Sequence, residues 1–378
     1  MKICLSVNSS PWSRFKGGGQ IAVHLLATAL SKLGHEVHVI YSKQPTEKIE
    51  ASANYNIHWV RHFNVATINL NIFSFGLKAW QLARKHKFDI FHGNAEEACF
   101  FHLVCSNEST AQIFTSHAPF IPRTGIFRAL LSPVFFLKNI NFYLLRKAAE
   151  NADRLIAFSE FSRKLIVNGL GSSSFDRIQM VSPGIDPSWF KIVRGFDNCK
   201  EILFWGRLED EKGIPELLSA MKLVQEQRED TQLNLIGEGN RETVYRNRVK
   251  ELGLNVNFLG WKSALEIQEL VGKSALGVFP SRIESFGLAV AEAQAASLPI
   301  VCTAAGALPE IVENEVTGRV VSPQSPSELA EAIVNSLENK TRSDEMAKLG
   351  KERAKKRFSW EIAAKNTIEI YKEAILKR

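Results

Sequence analysis

The sequence has few of the features that mark exported, membrane-spanning or zinc-binding proteins. Its five cysteines are an odd number, widely spread and without a Cys-x-x-Cys pair, which argues against a disulfide framework or a zinc site. The longest uncharged apolar stretch near the middle, residues 129–137, contains a proline and is less than half of the roughly 20 residues that a spanning helix needs. The N-terminus has too short an apolar core for a signal peptide. We therefore expect a cytoplasmic protein with reduced, mostly buried thiols.

The fingerprints of common nucleotide sites are also missing. The nearest match, Gly-Glu-Gly-Asn at 237–240, lacks the third glycine of a dinucleotide fingerprint and the Lys-Ser/Thr of a P-loop, so evidence for NAD or ATP is weak. What is present is an ordinary globular composition, 45% hydrophobic and 23% charged. With 378 residues and about 150 residues per domain, the length predicts two domains.

The positive charge is concentrated in the first half of the chain. Residues 1–190 carry 20 basic and 12 acidic side chains, whereas residues 191–378 carry 27 and 28. The tail 351–378 has nine basic and four acidic residues and would extend a positive surface if it packs on the first domain. Such a surface suits a polyanion or an anionic membrane, and a simple contribution to solubility remains the alternative.

Short β-rich runs alternate with helical patterns, which is typical of parallel α/β domains. Ile21, Leu25, Ala29 and Leu33 recur at helical spacing and predict a helix after the first strand, with Gly34 as its stop. The stretch 186–200 is interpreted as a linker. We predict two Rossmann-like domains facing across a central cleft, 1–190 and 191–357, with a C-terminal helix at about 358–378 packing back on the first. A ligand would bind at the carboxyl ends of both sheets. The predicted strands are 3–7, 37–41, 88–92, 112–117, 154–158, 178–182, 201–205, 232–236, 256–260, 275–279 and 299–302.

Three consecutive glycines, Gly17, Gly18 and Gly19, stand where that first helix begins. They would let backbone N–H groups approach a ligand closely at the positive end of the helix dipole, which predicts an anion site. A merely flexible turn between strand and helix is the alternative.

The second domain opens with a strand followed by Arg207, and Lys212 comes before the next helix. A guanidinium fork and an ammonium beside a helix N-terminus suit a diphosphate, although both residues would be unremarkable on a surface. The acidic run 209–211 between them is interpreted as solvated side chains, and we expect no metal there.

The segment 279–293 contains the most specific pattern. A strand ends at 279, the loop carries Glu284, and a helix is predicted to begin near Ser285, which would leave the amides of Phe286, Gly287 and Leu288 free to bind an anion. Glu292 lies farther along this helix among alanines, where an unpaired carboxylate would be costly, so it needs a hydrogen-bond donor. Ligand hydroxyls or a buried arginine would serve.

With these motifs the whole chain resembles the retaining GT-B glycosyltransferases of glycosyltransferase family 4. The most specific element is the E-x7-E motif from Glu284 to Glu292. The other matches are Gly17 to Gly19, the turn 34–37, Thr115-Ser116-His117, Gly206-Arg207, Lys212-Gly213, Gly306 with 309–312, and Gly318. Ser182-Pro183-Gly184 and Gly306-Ala307 depart from the family's usual Pro-Asn-Gly and Gly-Gly.

The resemblance implies a role for each matched residue. Arg207 and Lys212 would hold the pyrophosphate of a nucleotide sugar and stabilise the leaving group. Glu284 would bind hydroxyls of the donor sugar, and Glu292 the ribose. The amides from Ser285 to Leu288, together with Gly18 and Gly19, would surround the phosphates. His117 would contact the donor sugar near the reacting carbon; from the residues alone, a core histidine is as good a reading.

The implied reaction is transfer of a hexosyl group with retention, from a UDP- or GDP-sugar to a lipid-linked or glycan acceptor, without metal or cofactor. We expect peripheral docking on the inner membrane face, for which 126–131 with Phe135, Phe136 and Lys138 mixes apolar and basic residues. Two rivals stay open: a nucleotide-sugar epimerase of similar fold, and a non-catalytic polyanion-binding protein. No nucleic-acid motif is present, so we expect no nucleic-acid partner.

Overall fold

The structure is a computed structural model that describes residues 1–12, 18–43, 53–61, 64–65, 68–69, 71–104, 110–117, 133–195 and 200–378. The chain divides into two compact units. Unit 1 comprises 1–184 together with 360–378, and unit 2 comprises 185–359.

Unit 1 is built on a parallel sheet in which β3, β2, β1, β6, β7, β8 and β9 lie side by side in that order. β4 and β5 form a separate antiparallel pair. The strands are β1 Lys2–Val7, β2 Glu36–Lys43, β3 Asn56–Arg61, β4 Asn64–Val65, β5 Ile68–Asn69, β6 Ile90–Gly93, β7 Ala111–Thr115, β8 Arg154–Ala157 and β9 Ile178–Met180. The α-helices that accompany them are α1 Gly18–Lys32, α2 Asn71–Lys85, α3 Phe101–Val104, α4 Pro133–Asn151 and α5 Glu160–Leu170. Short 3-10 helices cover Glu96–Phe100 and Ser172–Arg177.

A hydrophobic core covers each face of this sheet. Successive side chains of a strand point to opposite faces, so neighbouring residues belong to different cores. Ile3 and Leu5 belong to the core on one face, whereas Cys4 between them belongs to the core on the other. The three cysteines that the structure describes, Cys4, Cys99 and Cys302, are buried and form no disulfide with one another, as expected.

The predicted first helix is confirmed, but it buries a different face from the one predicted by the spacing of Ile21, Leu25, Ala29 and Leu33. Ala22, Val23, Ala27 and Leu30 are buried, whereas Ile21 is 39% exposed and Leu33 is 37% exposed. The helix is apolar on more than one side, so periodicity alone did not select the packed face. Gly34 has φ +86°, the left-handed conformation of a helix C-terminal stop.

Unit 2 has a second parallel sheet, in the order β12, β11, β10, β13, β14, β15. Its strands are β10 Glu201–Trp205, β11 Gln232–Ile236, β12 Val256–Gly260, β13 Leu276–Phe279, β14 Ile300–Thr303 and β15 Arg319–Val321. Its α-helices are α6 Ile214–Gln227, α7 Glu242–Leu252, α8 Ala264–Lys273, α9 Leu288–Ala295, α10 Leu308–Ile311, α11 Pro326–Glu338 and α12 Lys340–Arg357. Short 3-10 helices cover Pro187–Lys191 and Asp210–Lys212.

The last helix, α13 Trp360–Leu376, belongs to unit 1. Ala364 and Ile370 are buried in the same core as Leu5, and the Tyr371 hydroxyl lies 2.7 Å from Nδ1 of His92. The chain therefore returns to its first unit after completing the second.

The segment interpreted as a linker is partly structured. Residues 187–191 form a 3-10 helix in which Trp189 is buried and stacks on Trp205, with ring centroids 5.9 Å apart. Composition missed this because Pro187 is a helix-start residue here rather than a breaker.

Candidate functional site

The predicted site residues of unit 2 meet at the carboxyl edge of its sheet. β10 and β13 are neighbours, so the loops that follow them lie together. Lys212 comes from the first loop and Glu284 from the second, and Nζ of Lys212 forms an ion pair with the Glu284 carboxylate. Their side chains are 18% and 19% exposed, so the pair is open to a ligand but not fully solvated. The Ser281 hydroxyl also donates to Glu284, at 3.2 Å.

Close backbone packing holds the two loops in contact. Gly213 has φ +72°, and a Cβ at this position would lie 1.8 Å from the carbonyl oxygen of Pro280. The Arg282 amide donates to the carbonyl of Glu211 at 2.8 Å. A side chain at 213 would therefore separate the loops and move Lys212 from Glu284.

A third loop, which contains Gly306 and Ala307, packs against the backbone of Glu284. Gly306 has φ +58°, and a Cβ there would lie 2.1 Å from the Glu284 carbonyl oxygen. The Ala307 amide donates to the same oxygen at 3.0 Å. Ala307, which stands where the family often has a second glycine, is fully buried.

Arg207 is not in the same cluster. Its guanidinium pairs with Glu211, and its side chain is 66% exposed. The acidic run is more engaged than expected: Asp210 accepts from the Tyr245 hydroxyl at 2.7 Å, and Glu209 accepts from the Asn240 amide at 3.1 Å. The side chains of Asp210 and Glu211 are still 39% and 46% exposed, so these acids are solvated as interpreted and also have protein partners.

Glu292 receives its hydrogen bond from a residue that the sequence analysis did not consider. The expected donor is present: the Trp205 indole N–H donates to the Glu292 carboxylate at 2.9 Å, whereas a buried arginine had been the protein donor considered. Burial, with a smaller contribution from the nearby Asp186 charge, raises the pKa of Glu292 to about 7, although the indole bond opposes the shift. Trp205 is the last residue of β10, so its position at a strand end next to Gly206-Arg207 was the available signal.

The helix that carries Glu292 begins later than predicted. α9 starts at Leu288 with Gly287 as its N-cap at φ +99°, so Ser285 and Phe286 precede it and are buried. Phe286 packs edge to face on Phe358, with ring centroids 5.4 Å apart. The first hydrogen bond of the helix runs from the Ala291 amide to the Gly287 carbonyl. The amides without a partner inside the helix therefore start at Leu288, whereas the predicted set ended at Leu288.

His117 of unit 1 lies in a hydrogen-bonded group at the carboxyl edge of the first sheet. Its Nε2 lies 2.9 Å from Oδ1 of Asn94, and the Asn94 amide nitrogen donates to the Ser6 carbonyl at 2.9 Å. Since Oδ1 of Asn94 can only accept a hydrogen bond, His117 carries its proton on Nε2, and its Nδ1 is an acceptor. Burial lowers the pKa of His117 to about 4, so the ring is neutral at pH 7.

The predicted glycine loop lies against the same histidine. A Cβ on Gly19 would lie 3.1 Å from Cγ and 3.4 Å from Nδ1 of His117. Gly18 opens α1 and is exposed. His117 also lines a small pocket of unit 1 with Ser182 and Pro183, the residues that depart from the family pattern. Gly17 lies outside the described residues.

Beside this group is a buried carboxyl that sequence reasoning missed. Glu97 is fully buried; its Oε1 accepts from the Ser6 hydroxyl at 3.1 Å, and its Oε2 has no partner among the described residues. Burial, reinforced by Glu96, raises the pKa of Glu97 to about 8. Glu97 follows β6 by four residues, but nothing in its local sequence distinguishes it from a surface acid.

This carboxyl predicts a pH dependence of stability. The folded protein keeps a proton that the unfolded chain releases above pH 4.5, so stability falls as pH rises toward 8. Between pH 6.5 and 8 we expect the free energy of unfolding to fall more in the wild type than in Glu97→Gln, by on the order of 1 kcal/mol. Glutamine keeps an acceptor for Ser6. Urea unfolding at four pH values checks this, and parallel pH profiles for the two proteins would contradict it.

The membrane segment named in the sequence analysis, 126–131, and the side chains of Phe135, Phe136 and Lys138 lie outside the described residues. Within the described part of the chain, no helix is both long enough and apolar enough to cross a bilayer.

Two family models match the chain. The model for glycosyl transferases group 1 covers residues 186–357, and the model for glycosyltransferase family 4 covers residues 16–189. A glycogen synthase of Mycobacterium tuberculosis is 27% identical over 94% of this chain and 91% of its own.

Solved structures share the fold. Sucrose-phosphate synthase from Thermosynechococcus elongatus has a TM-score of 0.82 at 22% identity, covering both chains completely. The Anabaena protein HepE in complex with UDP-glucose has a TM-score of 0.79 at 18% identity, over 99% of this chain and 100% of its own. Two Rossmann-like units, both family models and these likenesses agree with the expected GT-B architecture. The chain belongs to the GT-B glycosyltransferases of the family 4 type.

Proposed function

We propose that this glycosyltransferase moves a hexosyl group, with retention at the anomeric carbon, from a UDP- or GDP-sugar to a lipid-linked or polysaccharide acceptor, with no metal or cofactor in catalysis. UDP is the first nucleoside diphosphate to test, because the solved structure of HepE is a complex with UDP-glucose.

The observation that carries the proposal is the ion pair between Lys212 and Glu284 at the sheet edge. A cation held in place by a carboxylate is ready to receive a diphosphate without rearranging. Glu284 keeps further acceptor capacity for sugar hydroxyls, since a carboxylate offers about four lone-pair sites. The unpaired amides that begin at Leu288 add donors for a phosphate.

Charge develops on the diphosphate as the glycosidic bond breaks. Lys212 stabilises that charge, and Arg207 exchanges its exposed partner Glu211 for a phosphate oxygen. The leaving phosphate takes the acceptor proton on the same face of the sugar. This route needs no carboxylate nucleophile and gives retention.

Glu292 binds the nucleotide ribose. Ribose hydroxyls donating to the carboxylate would favour its charged form, which the Trp205 indole also favours. The binding of a nucleoside diphosphate should therefore release protons near pH 7.

His117 contributes a neutral imidazole with a free acceptor. Its Nδ1 accepts a hydrogen bond from a hydroxyl of the donor sugar, while Asn94 holds the ring through Nε2. Gly19 leaves room beside this nitrogen.

A thermal-shift panel with UDP, GDP, ADP, CMP and NAD, with and without EDTA, tests the proposal. A ligand at 100 times its Kd adds about 2.7 kcal/mol of stability, so a shift of several degrees is expected for one nucleoside diphosphate, unchanged by EDTA. Stabilisation by NAD alone, or by none of the five, would reject it. Conversion of the sugar nucleotide to an isomer without acceptor would favour the epimerase.

Peripheral docking on the inner membrane face is part of the proposal, and α2 is the helix best suited to it. Phe73, Leu77 and Trp80 are 60%, 57% and 46% exposed at positions i, i+4 and i+7. The basic last turn contains Arg84, whose guanidinium lies 4.7 Å from the Trp80 ring, and Lys85. An apolar stripe next to cations matches an anionic lipid surface, and unit 1 lies in the basic half of the chain.

The double substitution Phe73→Ser and Trp80→Ser should reduce co-sedimentation with anionic vesicles at low salt by about tenfold, because two half-exposed rings lose their insertion into lipid. Leu265→Ser is the matched control, since Leu265 is 70% exposed on α8 of unit 2. Negligible binding of the wild type, or equal binding of both variants, would contradict docking through α2.

A further inference from the structure

A cluster of histidines lies at the opposite edge of the unit 1 sheet from His117. Glu36 and His38 are two residues apart on β2, and His86 follows the end of α2. One ligand atom from each of these three side chains lies within 4.8 Å of the other two. His58, on the neighbouring strand β3, places its Nε2 2.8 Å from Nδ1 of His38.

We propose that Glu36, His38 and His86 bind a divalent transition-metal ion such as Zn²⁺, with His58 positioning His38. Two imidazoles and one carboxylate form a ligand set that zinc uses, with water completing the coordination. Mg²⁺ and Ca²⁺ prefer all-oxygen sites, so the proposal excludes them.

Both ring nitrogens of His38 are hydrogen-bonded. Its Nε2 lies 3.1 Å from Oε1 of Glu36 and 3.4 Å from the side-chain amide nitrogen of Asn56. A carboxylate can only accept, so without a metal Nε2–H of His38 donates to Glu36. Nδ1 of His38 then accepts from Nε2–H of His58.

A metal bound by Nε2 of His38 and the Glu36 carboxylate would take the place of this proton. Nδ1 of His38 would then carry the hydrogen and donate it to His58, which is the kind of outer contact that orients metal-bound histidines.

The surroundings allow access and set the expected affinity. His38 is 3% exposed, His86 is half-buried and Glu36 is exposed, so an ion can enter from the surface. Lys2 holds the other Glu36 oxygen at 3.2 Å, and Lys85 lies close enough to lower the pKa of His86. These positive charges oppose a cation, so we expect micromolar rather than tighter binding.

The ion would join β2 to the end of α2. Because these residues lie at the amino ends of the strands, and catalytic groups of such sheets lie at the carboxyl ends, its effect falls on stability rather than on turnover. The proposal is therefore independent of the proposed function.

The test is calorimetric titration of the untagged, chelator-treated full chain with ZnCl₂, together with the absorption spectrum of the Co²⁺ form. We expect one ion per chain, a rise in Tm of several degrees, and no saturable Mg²⁺ binding. His86→Gln and Glu36→Gln should each weaken Zn²⁺ binding at least tenfold. His102→Gln is the control, because His102 bonds the Cys99 carbonyl away from the cluster.

Absence of saturable Zn²⁺ binding in the wild type would overturn the proposal and leave a proton-linked cluster. Equal Zn²⁺ affinity in the wild type and His86→Gln would overturn it too, by assigning the ion to another site. Both variants remove accessible groups and keep the buried His38, so folding can be verified from their Tm without metal.

Discussion

Lys212→Ala should lower kcat/KM for sugar transfer by about 10³-fold. The substitution removes the cation that faces the diphosphate and leaves the Ser281 hydroxyl as the side-chain donor to Glu284 within the described part of the chain. A preorganised charge that stabilises a leaving group contributes about this much to a transferase rate. Initial rates of UDP release in the presence of acceptor, over a range of donor concentrations, measure the effect.

The control for Lys212→Ala is another lysine of unit 2 that is paired with a glutamate. Lys262 lies 3.2 Å from Glu266, four residues later, so Lys262→Ala removes a comparable ion pair outside the site. Its rate should stay within twofold of the wild type. A Lys212→Ala rate within threefold of the wild type, with its Tm preserved, would remove Lys212 from the proposed mechanism.

His117→Ala is expected to lower kcat by about 10² to 10³-fold with a smaller change in the donor KM, if the ring acts mainly on the transition state. His117→Gln is the companion variant, because its amide can still donate to Asn94 and keep the loop in place. Both are measured by the same release assay, and His102→Ala serves as the histidine control.

The pH profile of the transfer rate tests whether His117 acts as a neutral imidazole. Since the pKa of His117 lies at about 4, protonation should not reduce the wild-type rate between pH 5.5 and 8 through this residue. An acidic limb centred near 6.5 that disappears in His117→Gln would contradict the neutral imidazole. A rate above one third of the wild type in His117→Ala would contradict its contact with the donor.

The order of elements was accessible from sequence because it depends on local patterns. β10, β11 and β12 begin and end where the apolar runs predict, since strands of a parallel sheet are short runs rich in apolar residues and bounded by turn residues. β3 was missed, because Asn56–Arg61 mixes polar and apolar residues at the edge of its sheet. β15 was missed because its apolar run is only Val320 and Val321.

The site was accessible in part. Motif spacing singled out Lys212 and Glu284, but their pairing joins residues 72 positions apart and depends on the contact of Gly213 with Pro280. The start of α9 was placed too early, since the positive φ of Gly287 depends on the packing of Leu308 against it.

The sequence by itself determined the α/β class, most of the strands and the motif residues, because hydrophobic periodicity, turn residues and fixed spacings are local properties of the chain. Tertiary structure alone decided which groups meet: Trp205 with Glu292, Asn94 with His117, and Glu97 with Ser6. These contacts join distant segments whose partners are chosen by sheet order and loop packing. They also set the pKa values of Glu292, His117 and Glu97, because burial and hydrogen bonding exist only in the folded chain.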